Sequence, residues 1–216
     1  MNIAVFMGGL LYDSQKSLLK GIQDFAEKEA VNLFVFTCGG DIYAVNDHNS
    51  GEFQIYSLAE LDRYDGIIIA PNTIQNADVV QELTQRILET HVPTICIDAE
   101  MKGVTCFEVD NQQAMQVMTE HVIREHGKKK LLYLSGPLEN LESNQRLQGF
   151  RKTVLSYGLT EGTDYQIYHG DFWMDSGQKA ILEMLKKRTL FFPEAVVCAN
   201  DYMAIGAVEE LGHQEI

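Results

Sequence analysis

The chain has 216 residues, 45% hydrophobic and 22% charged, enough to bury a sizeable core in one large domain or two small ones. Its formal net charge of −14 argues against a surface that grips a phosphate backbone, because Lys and Arg drive that binding by displacing counterions. An acidic balance of this kind serves solubility rather than a specific cationic partner.

Short apolar runs alternate with amphipathic stretches along the whole chain. Asn2 to Met7 predicts a strand, and Asp13 is placed to cap a helix running to Glu29 with Leu18, Leu19, Ile22, Phe25 and Ala26 at helical spacing. Val31 to Thr37 is β-branched and aromatic and predicts a second strand. Cys38 to Gln54 is rich in Gly, Asn and Asp and reads as a long loop, followed by a short helix over Ser57 to Leu61. Gly66 to Ala70 is a buried strand, Ala77 to Glu89 a helix, and Pro93 to Ile97 a strand.

The rhythm resumes at Asp110, which caps a helix whose apolar face is expected to carry Ala114, Val117, Met118, Val122 and His121. Lys130 to Leu134 is a strand ending in Ser-Gly-Pro, and Ser143 to Ser156 a helix striped by Leu147, Phe150 and Val154. Tyr165 to Tyr168, Ser176 to Lys187 and Ala195 to Cys198 supply strand, helix and strand, and Met203 to Leu211 is again helix-like. Such alternation means α/β architecture, parallel sheets with helices on both faces. Met101 to Val109 fits neither a long helix nor a regular β/α step, which sets a boundary between two lobes, 1–107 and 108–216, with a cleft expected between them.

Cys38, Cys96, Cys106 and Cys198 form no C-x-x-C pair and no zinc spacing. Three of them lie in or beside apolar runs, where a thiol is a small hydrophobe, and a reducing cytoplasm is the simpler inference. No basic leader opens the chain and no apolar run is long enough for a bilayer, so a soluble cytoplasmic protein is expected. His121 and His126 read as a core or surface His and a helix-end His, with no second ligand at metal spacing. Gly39-Gly40-Asp41 invites comparison with a cyclase signature, but Ile42-Tyr43 follow where Glu-Phe is needed, so it reads as loop. Gly8 and Gly9 lack the third glycine of a nucleotide loop. With no nucleophile–base pair, metal cluster or complete phosphate loop, neither a cofactor nor catalysis is expected.

The most informative stretch is Cys198-Ala199-Asn200-Asp201-Tyr202-Met203-Ala204-Ile205-Gly206-Ala207, where a buried strand ends in an Asn-Asp pair that opens a helix. Carboxyl ends of parallel strands are where ligands bind. Other phrases in register with it are Ile97-Asp98, Val109-Asp110-Asn111-Gln112-Gln113-Ala114, the run His126 to Pro137, Gln145-Arg146-Leu147-Gln148-Gly149-Phe150, and Gly170-Asp171-Phe172 with Gly177. Together they resemble the sugar-binding core of LacI/GalR-type repressors, a branch of the periplasmic-binding-protein-like sensors. The first half resembles that family only in architecture.

The resemblance implies a two-lobed, Venus-flytrap sensor that closes on a small polar ligand, a sugar or nucleoside, and acts as a homodimer. Carried over by position, Asp98, Arg146, Phe172, Asn200 and Asp201 contact the ligand. Arg146 offers a rigid fork of donors, the aspartates accept hydroxyl protons, and Phe172 or the adjacent Trp173 stacks on an apolar ring face. Each residue also has a plainer role: Arg146 as an ion pair, Asp98 and the Asn200-Asp201 pair as caps, Phe172 and Trp173 as core.

Departures from the family pattern change the expected output. Family repressors begin with a helix-turn-helix, whereas this chain opens on its first strand, so no direct nucleic-acid binding is expected. The first loop lacks the usual Asn-Pro-Phe-Phe-like contact and leaves Tyr12 and Asp13 as substitutes, and Asp98 precedes Ala99 rather than Arg. Ile216 falls short of where such a core ends, so the chain is expected to be a fragment with an incomplete second lobe. The run Gly136 to Ser143 with Arg146 looks more like sensors fused to a diguanylate cyclase or histidine kinase. An enzyme on a doubly wound sheet, flavodoxin-like or nucleotide-using, is the alternative in another class, and a secreted transport-binding protein a third that conflicts with the missing leader.

Overall fold

The computed structural model describes residues 1–39, 51–74, 76–186 and 191–214. The loop expected over Cys38 to Gln54, and the Gly-Gly-Asp run within it, lie mostly outside the described residues. The chain divides into two compact units, Met1–Val109 and Asp110–Ile216.

Unit 1 runs β1 (Asn2–Phe6), α1 (Asp13–Lys28), β2 (Asn32–Phe36), 3-10 turns over Phe53–Leu58 and Leu61–Arg63, β3 (Gly66–Ile69), a 3-10 turn Pro71–Thr73, α2 (Ala77–Glu89), β4 (Thr94–Ile97) and β5 (Thr105–Phe107). Its strands form one parallel sheet in the order β2-β1-β3-β4-β5. Alternate residues of β1 feed opposite faces, as strand geometry requires. Ala4 and Phe6 pack with Leu83 and Ile87 of α2 and with Tyr56, while Val5 and Met7 pack with Leu18, Leu19 and Ile22 of α1. Both faces are therefore covered, which is why β1 and β3 read as continuous apolar runs.

Unit 2 runs α3 (Asn111–Arg124), β6 (Leu131–Ser135), α4 (Leu141–Ser156), β7 (Tyr165–His169), α5 (Met174–Lys186), β8 (Ala195–Cys198) and α6 (Asp201–His213). Its parallel sheet has the order β7-β6-β8. Every residue of β6 is buried, and Tyr133 stacks on Phe150 of α4 with ring centroids 4.4 Å apart.

Four expectations need correction. Met101 to Val109 is not irregular throughout: Thr105–Phe107 forms β5, paired in parallel with β4 through Cys96↔Cys106. The helical turns near Ser57 to Leu61 are 3-10 and start at Phe53. Asp13 does not cap α1; Tyr12 holds that place in extended conformation, and Asp13 is the first helical residue, where a carboxylate suits the positive helix end. Phe25, assigned to the apolar stripe of α1, is 65% exposed.

The largest difference is the buried face of α3. Val117 and Met118 are exposed, whereas Asn111, Met115, Thr119 and Ile123 are buried. Gly149 decides the rotation. A Cβ there would lie 2.3 Å from the Gln112 main-chain oxygen and 3.1 Å from Met115 Cβ, so only glycine lets α4 seat against this side of α3.

Candidate ligand-binding site

Strand order reverses around β6 in unit 2 and around β1 in unit 1, and the carboxyl ends of strands at such points are where open α/β sheets bind ligands. In unit 2 the turn after β6 leads to Asn140, whose Oδ1 accepts from Ser143 N at 2.8 Å and starts α4. Six residues on stands Arg146, with its side chain 23% exposed. Its Nε donates to Asn111 Oδ1 at 2.8 Å, Nη1 to the Ala199 main-chain oxygen at 2.9 Å, and Nη2 to Glu142 Oε2 at 3.0 Å. One guanidinium thus ties α3, α4 and the end of β8 together, with two of its five N–H groups outside these bonds.

Asn200 performs a second tie. Its Oδ1 accepts from Met203 N at 3.0 Å and caps α6, and its Nδ2 donates to the Phe172 main-chain oxygen at 2.8 Å. Phe172 has φ 73, a backbone region costly for a residue with a Cβ, and its ring lies over Gly136. A Cβ at Gly136 would come within 2.1 Å of Phe172 Cε1. Trp173 lies beside Tyr202, ring centroids 5.9 Å apart, and Asp201 is exposed in the first turn of α6. Burial pushes the Cys198 thiol, at the end of β8, up to about 12 and raises the Tyr133 hydroxyl, the latter opposed by the charge of Arg146.

The unit 1 candidates sit at the ends of its own strands. Asp98 follows β4 with φ 55, donates its N–H to the Phe107 oxygen at 2.9 Å, and accepts from Asn72 Nδ2 on its main-chain oxygen. Tyr12 packs partly on the unit 1 core, and Asp13, with its side chain 87% exposed, pairs with Lys16 at 3.1 Å. The same end of this sheet is drawn tight where Gly8 N donates to Thr73 Oγ1 at 2.8 Å. A surface hollow of ≈ 530 Å³ elsewhere in unit 1 is lined by Ser57, Leu58, Arg63, Arg86 and Thr90. Arg86 there donates to the Tyr56 and Ala59 carbonyls and is structural, so the strand ends carry the stronger case despite the hollow's size.

Of the sequence candidates, the structure bonds Asn200 directly to Phe172, and Arg146 to the carbonyl of Ala199, the residue before Asn200; Trp173 and Asp201 adjoin them in the chain. Asn111, Glu142 and Gln145 belong to the same network and were not singled out as site residues. Asp110 is the cap, accepting from Gln113 N at 2.8 Å, and this leaves Asn111 to hold Arg146 and to donate to Gln145 Oε1 at 3.2 Å. Glu142 carried a signal, the i, i+4 Glu–Arg spacing of a helix pair.

Residues 14–215 match the family of periplasmic binding proteins and sugar binding domain of LacI family. The chain belongs to this family. Among curated relatives, the HTH-type transcriptional repressor PurR of Proteus mirabilis (strain HI4320) is 31% identical over 196 residues, 87% of this chain and 55% of that protein. The maltose regulon regulatory protein MalI of Escherichia coli (strain K12) is 28% identical over 78% of this chain and 48% of its own length. The chain thus spans about half the length of these relatives. A dimeric Lac repressor structure matches with TM-score 0.72 at 19% identity, covering 100% of this chain and 74% of that one. A periplasmic solute binding protein of an ABC transporter from Actinobacillus succinogenes 130z, with bound D-allose, matches at 0.76 and 18% identity, covering 99% and 74%. At such identities the structures establish the fold. No helix among the described residues is long and apolar enough to cross a membrane.

Proposed function

We propose that this chain is the ligand-sensing part of a transcriptional regulator and binds a small polar molecule, sugar-like or nucleoside-like. The observation that carries the reading is the pair of ties at the strand ends of unit 2, Arg146 to Asn111 and to the Ala199 carbonyl and Asn200 to the Phe172 carbonyl, in a chain of this family. A fixed guanidinium, amide groups and an aromatic ring are the groups a hydroxyl-rich ring needs: directed donors and acceptors, and an apolar face for stacking. Asp98, Asp201, Trp173, Tyr12 and Asp13 complete the proposed contacts. Ligand-driven lobe closure in a homodimer passes the signal to an output domain, fused or associated, and the names of the relatives favour regulation of transcription. The protein has no catalytic step in this reading.

Titration calorimetry of the purified protein against hexoses, pentoses, nucleobases and nucleosides tests it. One compound class binds saturably at one site per chain, and Asp201→Asn, a change on an exposed side chain, weakens that binding while the protein without ligand still melts as a folded protein. Absence of heat and of thermal shift across the panel overturns the reading.

A further inference from the structure

The end of α3 carries a feature independent of the proposed sensor site. His121 lies in its last turn, and His126 follows the helix. Gly127, with φ 65, adopts the left-handed turn open to glycine, and Lys128 N donates back to the Val122 oxygen at 3.3 Å. That turn folds His126 over His121, and their Nε2 atoms come to 3.1 Å with the rings at 78°. Both residues are exposed.

We infer that His121 and His126 form a two-imidazole chelate for a first-row divalent cation such as Ni²⁺, Cu²⁺ or Zn²⁺. Metal–imidazole nitrogen bonds run about 2.0–2.1 Å, so two nitrogens 3.1 Å apart subtend roughly 95–100° at an ion, between octahedral and tetrahedral values. Two neutral rings at this distance share one Nε2–H proton. Each can place its proton on Nδ1 instead, and turning the two exposed rings by roughly 40° each off the line joining the nitrogens brings both lone pairs to the same point. An ion there exchanges one hydrogen bond for two metal–nitrogen bonds, with water completing its shell. The carbonyl end of α3 is the negative end of the helix dipole and favours a cation. Arg124 next to the pair is held by Glu120 at 3.2 Å, and the Glu194 carboxylate feels the charges of Lys128 and Lys130, so acidic partners offset part of the basic charge nearby.

Calorimetric titration of the whole protein with Ni²⁺ alone tests the assignment, with His121→Ala, His126→Ala and, as a surface control, His213→Ala. The expected result is one equivalent bound, reversed by a chelator, with affinity reduced roughly tenfold or more in each of the first two variants and unchanged in the third. The metal raises the melting temperature of wild type and of His213→Ala only, because an ion bound by the folded state alone stabilises it by mass action. Metal-free melts establish that the exposed substitutions leave the fold intact. Absence of binding up to about 1 mM Ni²⁺, or binding kept in either His121→Ala or His126→Ala, overturns the chelate and leaves the pair a hydrogen bond only.

Discussion

Arg146 Nη1 donates to the main-chain oxygen of Ala199 at 2.9 Å, and so fastens α4 to the end of β8 one residue before the Asn200 cap. The same guanidinium holds Asn111 and Glu142, and a single lysine nitrogen cannot span three acceptors set around a planar fork. Arg146→Lys and Arg146→Met are both expected to destabilise the protein, by about 1–3 kcal/mol, through loss of the three bonds that the guanidinium donates. Urea unfolding measures this. A change inside experimental error means that the network contributes nothing to stability.

Helices α5 and α6 meet through reciprocal glycines. A Cβ on Gly177 would lie 2.1 Å from the Met203 oxygen, and one on Gly206 1.9 Å from the Met174 oxygen. Gly206→Ala therefore forces two backbones apart and should cost about 1–3 kcal/mol. Gly21 in the middle of α1 has nothing within 4 Å of its missing Cβ, so Gly21→Ala should instead stabilise by about 0.5–1 kcal/mol. Opposite signs in thermal melts are the expected outcome.

Tyr133 is fully buried, and its hydroxyl finds no hydrogen-bond partner among the described residues. An unpaired buried hydroxyl is a cost, so Tyr133→Phe, which keeps the stack on Phe150, should raise stability by roughly 1 kcal/mol. A loss on denaturant unfolding would show that the hydroxyl is satisfied in solution.

The Glu194 carboxylate accepts from the Lys129 and Lys130 amides at 2.9 and 3.0 Å, and these bonds hold its pKa below the ordinary glutamate value. A depressed folded-state pKa contributes stability above the unfolded value and loses it as pH falls through the folded one. Wild-type stability should therefore drop more steeply on acidification below the glutamate range than that of Glu194→Gln. Parallel pH–stability profiles of the two proteins would remove Glu194 from the account.

Much of the fold was legible because β/α alternation is a local signal. The bounds of α2, Ala77–Glu89, came directly from its apolar spacing, and Asn200 announced itself as a cap because the strand before it and the helix after it are both clear. β5 was missed: three edge residues with only the middle one half-buried carry almost no pattern. At the site, Arg146, Phe172 and Asn200 stood out through their register with a family, yet that register said nothing of Asn111 and Glu142 as their partners.

The sequence by itself determined most of the order of strands and helices, the Asp110 and Asn200 caps and the family, because each depends on neighbours a few residues apart. Tertiary structure alone decided which face of α3 is buried. Val117 and Met118 are the more apolar side, yet Met115, Thr119 and Ile123 face inward because Gly149, some thirty residues later, leaves room there for a helix to approach. It likewise decided that Arg146 binds the Ala199 carbonyl and that His126 meets His121, since close packing and a left-handed glycine act through space and leave no periodic mark in the chain.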